Sequence, residues 1–229
     1  MRIISGLAGG IRLKPPEDKN IRPTEDRVKE SLFGTLGDLT GKIVIDLFSG
    51  SGALGLEALS RGAEKVFFVE KERRHINLIE ENTALVLKAM NASANKVVFL
   101  CADAKSAPSL LPELAAGPIG LILADPPYAE TPDTYGANAL IADQAFADWA
   151  GPNAILALEH ASTTILRWHP LSPWELLRER PSAYALFPSP VRPKRNLQNA
   201  WEQKRKCAVK YIIALKTTHI TNKGNQVND

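Results

Sequence analysis

The sequence predicts an α/β protein built on a doubly wound, mainly parallel sheet. Three observations carry that prediction. From Lys42 onward, short apolar runs alternate with longer amphipathic segments. The short runs, residues 43–48 (apolar but for Asp46) and 119–124 among them, lack polar alternation, as strands buried on both faces do. A glycine-rich turn, Gly50-Ser-Gly52-Ala-Leu-Gly55, then separates the first run from the first amphipathic segment, in strand–turn–helix order.

Each element follows in order. Residues 2–15 place short apolar runs around Gly9-Gly10 and predict a small hairpin. A polar loop leads to Pro23. Thr24 stands where a helix cap is needed, and Glu25 and Asp26 complement the dipole of the first turn. Val28, Leu32 and Leu36 recur at helical spacing and carry that helix to about residue 36. Residues 43–48 are the first sheet strand, and 53–61 a helix ended by Gly62. Residues 65–69 form the next strand and 73–90 a long helix. Strands over 97–100, 119–124 and 154–158 complete five candidates, with helical segments between them. Residues 174–177 and 208–215 predict an antiparallel hairpin closing the sheet. It is interrupted at about 181–206 by a segment holding Pro181, Pro188, Pro190, Arg192, Pro193, Lys194 and Arg195, read as an inserted loop. The organisation expected is an N-terminal hairpin and helix extension over 1–40, a main domain over 41–216, and a polar disordered tail over 217–229.

Composition bounds the function. At 229 residues, 45% hydrophobic and 23% charged, the chain fits one main globular domain. No apolar run approaches the roughly 20 residues of a membrane span, and the N-terminus lacks a secretory signal. Cys101 and Cys207 make neither a disulfide framework nor a metal-ligand spacing, so a cytoplasmic protein without metal is expected. Cys101 is read as a buried strand-end residue. The net charge of +3 is unevenly spread: residues 42–159 hold nine Lys or Arg against fifteen Asp or Glu, and 167–216 hold eleven against three. A polyanionic partner at the basic segment and a merely solvated surface fit that asymmetry equally well.

The chemistry gathers at the predicted carboxyl ends of the strands, where doubly wound sheets place ligands. Glycines in Gly50–Gly55 let backbone approach a ligand, and a helix N-terminus behind them offers free N–H groups. Glu70 ends the second strand, where a carboxylate can accept both ribose hydroxyls. These features also match a dinucleotide site. Asp46, just before the loop, argues against one, because a pyrophosphate would find a carboxylate unwelcome. A ligand bearing ammonium and sulfonium centres would welcome it. Asp103, after the third strand, is placed to meet an adenine amino group. Acids after three successive strands therefore suit S-adenosylmethionine better than NAD.

The most specific segment is Asp125-Pro126-Pro127-Tyr128, after the fourth strand. Two prolines stiffen the backbone and remove its N–H donors, leaving carbonyls and a carboxylate. That acceptor-only surface suits an amino group, and Tyr128 offers a face on which a base can stack. An exocyclic base amine is a poor nucleophile because its lone pair is delocalised. The Asp125 carboxylate and Pro126 carbonyl can hold its hydrogens and localise that lone pair, so catalysis comes from orientation and desolvation. The bland alternative is a rigid turn. No Pro-Cys pair stands ready for covalent attack on a pyrimidine.

Together these residues resemble the amino-methyltransferases with an Asn/Asp-Pro-Pro-Tyr/Phe motif, and more closely the RsmD family of 16S ribosomal RNA guanine-N2 methyltransferases. The resemblance runs over roughly residues 1–160, through Met1-Arg-Ile-Ile-Ser-Gly6, Ile21-Arg-Pro-Thr24, Arg27-Val-Lys-Glu30, Leu32-Phe33, Asp46-Leu-Phe-Ser-Gly-Ser-Gly52, Val69-Glu70-Lys71 and Asp125-Pro-Pro-Tyr128. It implies a Rossmann-like methyltransferase sheet using S-adenosylmethionine. It implies cofactor contacts from Arg22, Thr24, Asp46, Phe48, Gly50, Gly52, Glu70, Lys71, Asp103 and Ala104, and a base site at Asp125, Pro126, Pro127 and Tyr128. The implied partner is 16S rRNA in the assembling small ribosomal subunit, met by a monomer with its N-terminal hairpin on the RNA. Two departures stand out: the hairpin, Gly6-Leu-Ala-Gly-Gly-Ile-Arg-Leu13, is less basic than the family's, and the last hairpin carries the Pro- and Arg-rich insertion. Arg192, Lys194 and Arg195 there are candidates for displaced phosphate contacts. A DNA adenine-N6 or cytosine-N4 methyltransferase, an NAD-dependent dehydrogenase and a non-catalytic ribosome-assembly protein remain as competing readings.

Overall fold

A computed structural model describes residues 1–16, 26–115, 118–127, 134–161, 163–168, 173–181 and 209–216. Among these residues seven strands form one sheet: β1 (Ile43–Leu47), β2 (Lys65–Glu70), β3 (Val97–Cys101), β4 (Ile119–Ala124), β5 (Ile155–Ala161), β6 (Trp174–Pro181) and β7 (Val209–Lys216). Their order is β3-β2-β1-β4-β5-β7-β6. The first five are parallel, while β7 runs antiparallel between β5 and β6. The order reverses between β1 and β4, which makes their carboxyl ends the place where loops diverge and a ligand enters.

Among the described residues six α-helices accompany the sheet: α1 (Asp26–Leu36), α2 (Ala53–Ser60), α3 (Arg73–Met90), α4 (Ala107–Leu110), α5 (Ala137–Ala142) and α6 (Gln144–Ala150). The apolar runs divide by strand parity. Val44, Val66, Phe68, Leu121, Leu123 and Ala157 face α1, α2 and α3. Ile45, Leu47, Phe67, Val69, Ile122 and Leu156 face α4, α5 and α6. The doubly wound expectation holds, with boundaries extended where pairing continues past the apolar run. β5 reaches Ala161 because β7 pairs with it beyond its last parallel contact, Ala124 with Leu158. β6 reaches Pro181 because an edge strand tolerates proline at its end, so Pro181 belongs to the hairpin and not to the insertion. Thr24, the rest of the insertion and the tail lie outside the described residues.

Residues 1–16 pair only at the bridge between Arg2 and Arg12, yet they are firmly docked. Ile3, Ala8 and Leu13 join the core beneath α1, α2 and α3. Glu57, fully buried on α2, accepts from the backbone N–H groups of Ile4 (2.7 Å) and Ser5 (3.1 Å) and from Arg61 Nε (2.8 Å). Ser60 Oγ accepts from Ala8 N and donates to the Ser5 carbonyl, and the buried Lys29 ammonium donates to the Arg2 carbonyl. Gly6 is the point of closest approach. It has a φ of +86°, and a Cβ there would lie 1.9 Å from the Ser60 carbonyl oxygen. Gly6→Ala is therefore expected to lower stability by about 3 kcal/mol or more, since both backbone and packing must yield. Denaturant unfolding of the variant beside wild type checks this; an unmoved midpoint would mean the segment is not docked here.

Candidate active site

The site is assembled from strand ends and the turn after β1. Asp46, the fourth residue of β1, points toward α2, where its Oδ2 accepts the Gly55 N–H at 2.8 Å. It is almost fully buried, and burial first, then the charge of Glu70, raises its pKa to about 8 against the lowering effect of the Gly55 hydrogen bond. The turn that follows needs left-handed backbone at Phe48 (φ 58°), Gly50 (φ 54°) and Gly52 (φ 76°). At Gly52 a Cβ would also crowd Ile79 of α3, whose Cγ2 lies 3.0 Å away and would have to shift.

Glu70 organises the same turn from β2. Its Oε2 accepts the Gly50 N–H at 2.9 Å and its Oε1 the Glu72 N–H at 2.9 Å. His75, buried at the start of α3, brings Nδ1 to 3.5 Å from Glu70 Oε1. Asp103 is exposed and closes a turn by accepting from Lys105 N at 2.9 Å, with Ala104 buried beside it. Lys71 is exposed, and its carbonyl lies 3.5 Å from Cys101 Sγ. Cys101 is itself exposed, against expectation, because β3 is an edge strand and its last residue points off the sheet.

Asp125 is the first residue past β4, half-buried, followed by a buried Pro126 and an exposed Pro127. Burial, then Glu159, then Asp46 push its carboxyl well above the usual range. Asp46, Glu70 and Glu159 lie on three strands with the same parity, facing α1–α3, and Asp125 sits within reach of two of them. The structure thus brings Asp46, Gly50, Gly52, Glu70 and Asp125 together at one end of the sheet. Asp103 and Lys71 stand further out, at the β2–β3 edge. Arg22, Thr24 and Tyr128 lie outside the described residues.

Glu159 was not singled out from the sequence. Its signal was present: it is the acid that follows an apolar strand, as Asp46, Glu70 and Asp125 do. It is nevertheless buried, because β7 continues alongside it.

The residues fit S-adenosylmethionine. Among the described residues neither Asp46 nor Asp125 has a cationic partner; burial first, with Glu70 acting on Asp46 and with Glu159 and Asp46 acting on Asp125, raises both carboxyls, and a sulfonium with an ammonium would relieve them. A pyrophosphate would deepen the repulsion. Among the described residues no group of His, Cys, Asp and Glu could hold a metal, and no helix is long and apolar enough to cross a membrane.

Comparison with known proteins agrees with this geometry. The family model described as Conserved hypothetical protein 95 matches residues 1–185. The ribosomal RNA small subunit methyltransferase D of Haemophilus influenzae is 32% identical over 188 residues, 79% of this chain and 88% of its own. Its Escherichia coli K12 namesake is 37% identical over 154 residues, 63% of this chain and 71% of its own. A solved Escherichia coli structure assigned as methyltransferase yhhF superposes with a TM-score of 0.65 at 28% identity, covering 94% of this chain and 97% of that one. The fold is that of the Rossmann-like methyltransferases, and the chain belongs to the family described as Conserved hypothetical protein 95, the RsmD family, whose curated relatives above are named ribosomal RNA small subunit methyltransferase D.

Proposed function

We propose that the protein transfers a methyl group from S-adenosylmethionine to the exocyclic N2 amine of a guanine in 16S rRNA, acting as a monomer on the assembling small subunit. The observation that carries this reading is the placement of Asp125 and its two prolines beside buried Asp46, on the ligand-binding edge of the sheet. The names of the relatives supply the class of substrate.

When bound, S-adenosylmethionine supplies an electrophilic methyl on a sulfonium. Asp46 would hold that positive charge beneath the turn, and Glu70, which keeps the Gly50 backbone in place, would accept from the ribose hydroxyls. The Asp125 carboxylate and the Pro126 carbonyl accept the two amine hydrogens, and the prolines offer no competing N–H. The lone pair would then be aimed at the methyl, so that catalysis comes from orientation. Asp125 is also the nearest acceptor for the proton the amine releases. Phe48, Asp103 and Ala104 would meet the adenine, with exposed Lys71 beside them; the resemblance gives the base-stacking role to Tyr128 and further cofactor contacts to Arg22 and Thr24, which lie outside the described residues.

The direct test is methyl transfer from labelled S-adenosylmethionine to unmodified small-subunit particles, naked 16S rRNA and DNA, followed by nucleoside analysis. Label in N2-methylguanosine from ribosomal substrates is the expected outcome. Label in N6-methyladenine or N4-methylcytosine from DNA alone would overturn the substrate and keep the Asp125 chemistry.

A further inference from the structure

Asn82 lies in α3 and is completely buried, on the helix face that also presents Ile76, Ile79 and Val86 to the core. An apolar side chain would satisfy that packing. The amide is instead committed to backbone outside its own helix. Its Oδ1 accepts the Lys14 N–H at 2.7 Å, and its Nδ2 donates to the Lys14 carbonyl and the Ser51 carbonyl, each at 3.1 Å. The orientation is unambiguous, because a flipped amide would set N–H against N–H and oxygen against two carbonyls.

These bonds join the N-terminal segment to the glycine turn through one side chain. On the turn side, the Ser51–Gly52 peptide is gripped at both ends: its carbonyl by Asn82, its N–H by the Ser49 carbonyl at 2.7 Å. Gly50 N–H is held separately by Glu70. On the other side, Lys14 ends a segment docked through Glu57, Ser60 and Lys29, with Arg12 exposed along it. Ser51 Oγ makes a further, weaker contact to Met1 Sδ at 3.4 Å.

We propose that Asn82 is a positioning residue for cofactor binding, which makes the shape of the glycine turn depend on the docking of residues 1–16. The proposal rests on the reading that this turn binds S-adenosylmethionine. Its consequence is reciprocal: whatever grips residues 1–16 changes cofactor affinity, and the cofactor stiffens those residues.

The test measures S-adenosylhomocysteine affinity by calorimetry on the full chain, together with the unfolding midpoint and KM and kcat on small-subunit particles. Asn82→Ala, which leaves the buried Ser51 carbonyl and the part-buried Lys14 N–H and carbonyl without this partner, is expected to weaken binding about tenfold and raise the cofactor KM in step. Saturating kcat should stay within about twofold, because the Asp125 end of the site is untouched. Lys14→Pro removes the N–H donor on the side away from the turn, together with the Lys14–Glu81 ion pair, and should weaken binding about threefold if placement is transmitted. Glu81→Ala cuts the exposed Lys14–Glu81 ion pair between the same two elements and should leave affinity unchanged. Full-strength binding by folded Asn82→Ala and Lys14→Pro, with only the midpoint lowered, would overturn the proposal alone. A wild-type chain that binds no S-adenosylhomocysteine would overturn the reading of the turn, and the proposal with it.

Discussion

Asp125→Ala is expected to slow methyl transfer roughly a thousandfold while leaving S-adenosylhomocysteine affinity within about threefold. The asymmetry follows from position. Asp46 and Glu70 bond to the Gly50–Gly55 segment, the proposed cofactor site, whereas Asp125 stands past β4 with no hydrogen bond to that segment among the described residues. Removing its carboxylate takes away one of two acceptors for the amine and leaves the cofactor side standing. Asp125→Asn separates two roles within that loss. An amide oxygen still accepts one amine hydrogen but takes no proton, so an acceptor role predicts a loss nearer tenfold, and a base role a loss close to that of alanine. Single-turnover rates with saturating cofactor read the difference. Retained activity in Asp125→Ala would remove Asp125 from the chemistry altogether.

The pH dependence of that rate has a defined sign. Burial, Glu159 and Asp46 hold the Asp125 carboxyl well above its ordinary range in the unliganded protein, so its acceptor form is scarce at low pH. The rate should rise with pH as it ionises. A cation bound at Asp46 lowers the pH needed, since it counters the charges that hold the proton on.

The architecture was legible because its signals are local and repeated. Continuous apolar strands, the αL glycine turn and the 3.6-residue period of α3 each leave a mark within a few residues, and α3 was bounded correctly at both Arg73 and Met90. The acids at the ends of β1, β2 and β4 were legible for the same reason. What escaped was long-range. Glu159 is buried by β7, a strand from the far end of the chain, and nothing beside it in sequence announces that cover. Cys101 looked buried because its strand is apolar, but exposure depends on β3 being an edge. Asn82 and Glu57 were not singled out, since each is one polar residue within a helix. Only the docking of residues 1–16 reveals them as buried acceptors and donors for backbone some 50 to 70 positions away.

Asp46→Asn is expected to weaken S-adenosylhomocysteine or S-adenosylmethionine binding about a hundredfold above pH 8 and to flatten its pH dependence. In the wild type the carboxyl carries its proton up to about pH 8, chiefly because it is buried, from an ordinary value of 3.8. A cationic ligand needs the ionised form. Affinity should therefore fall about tenfold per pH unit below 8, with a proton released for each ligand bound there. Calorimetry in buffers of different ionisation enthalpy counts that proton. Stability moves the opposite way. A carboxyl whose folded pKa is raised favours folding below its unfolded value, and that contribution is lost as pH climbs from about 4 to 8. The unliganded wild type should lose stability across this window, and Asp46→Asn should not, since the amide still accepts the Gly55 N–H without becoming charged. Binding that weakens and a fold that strengthens through one substitution would mark Asp46 as a charge kept for its ligand. A variant that weakens both would make it a structural acceptor for the α2 N-terminus and nothing more.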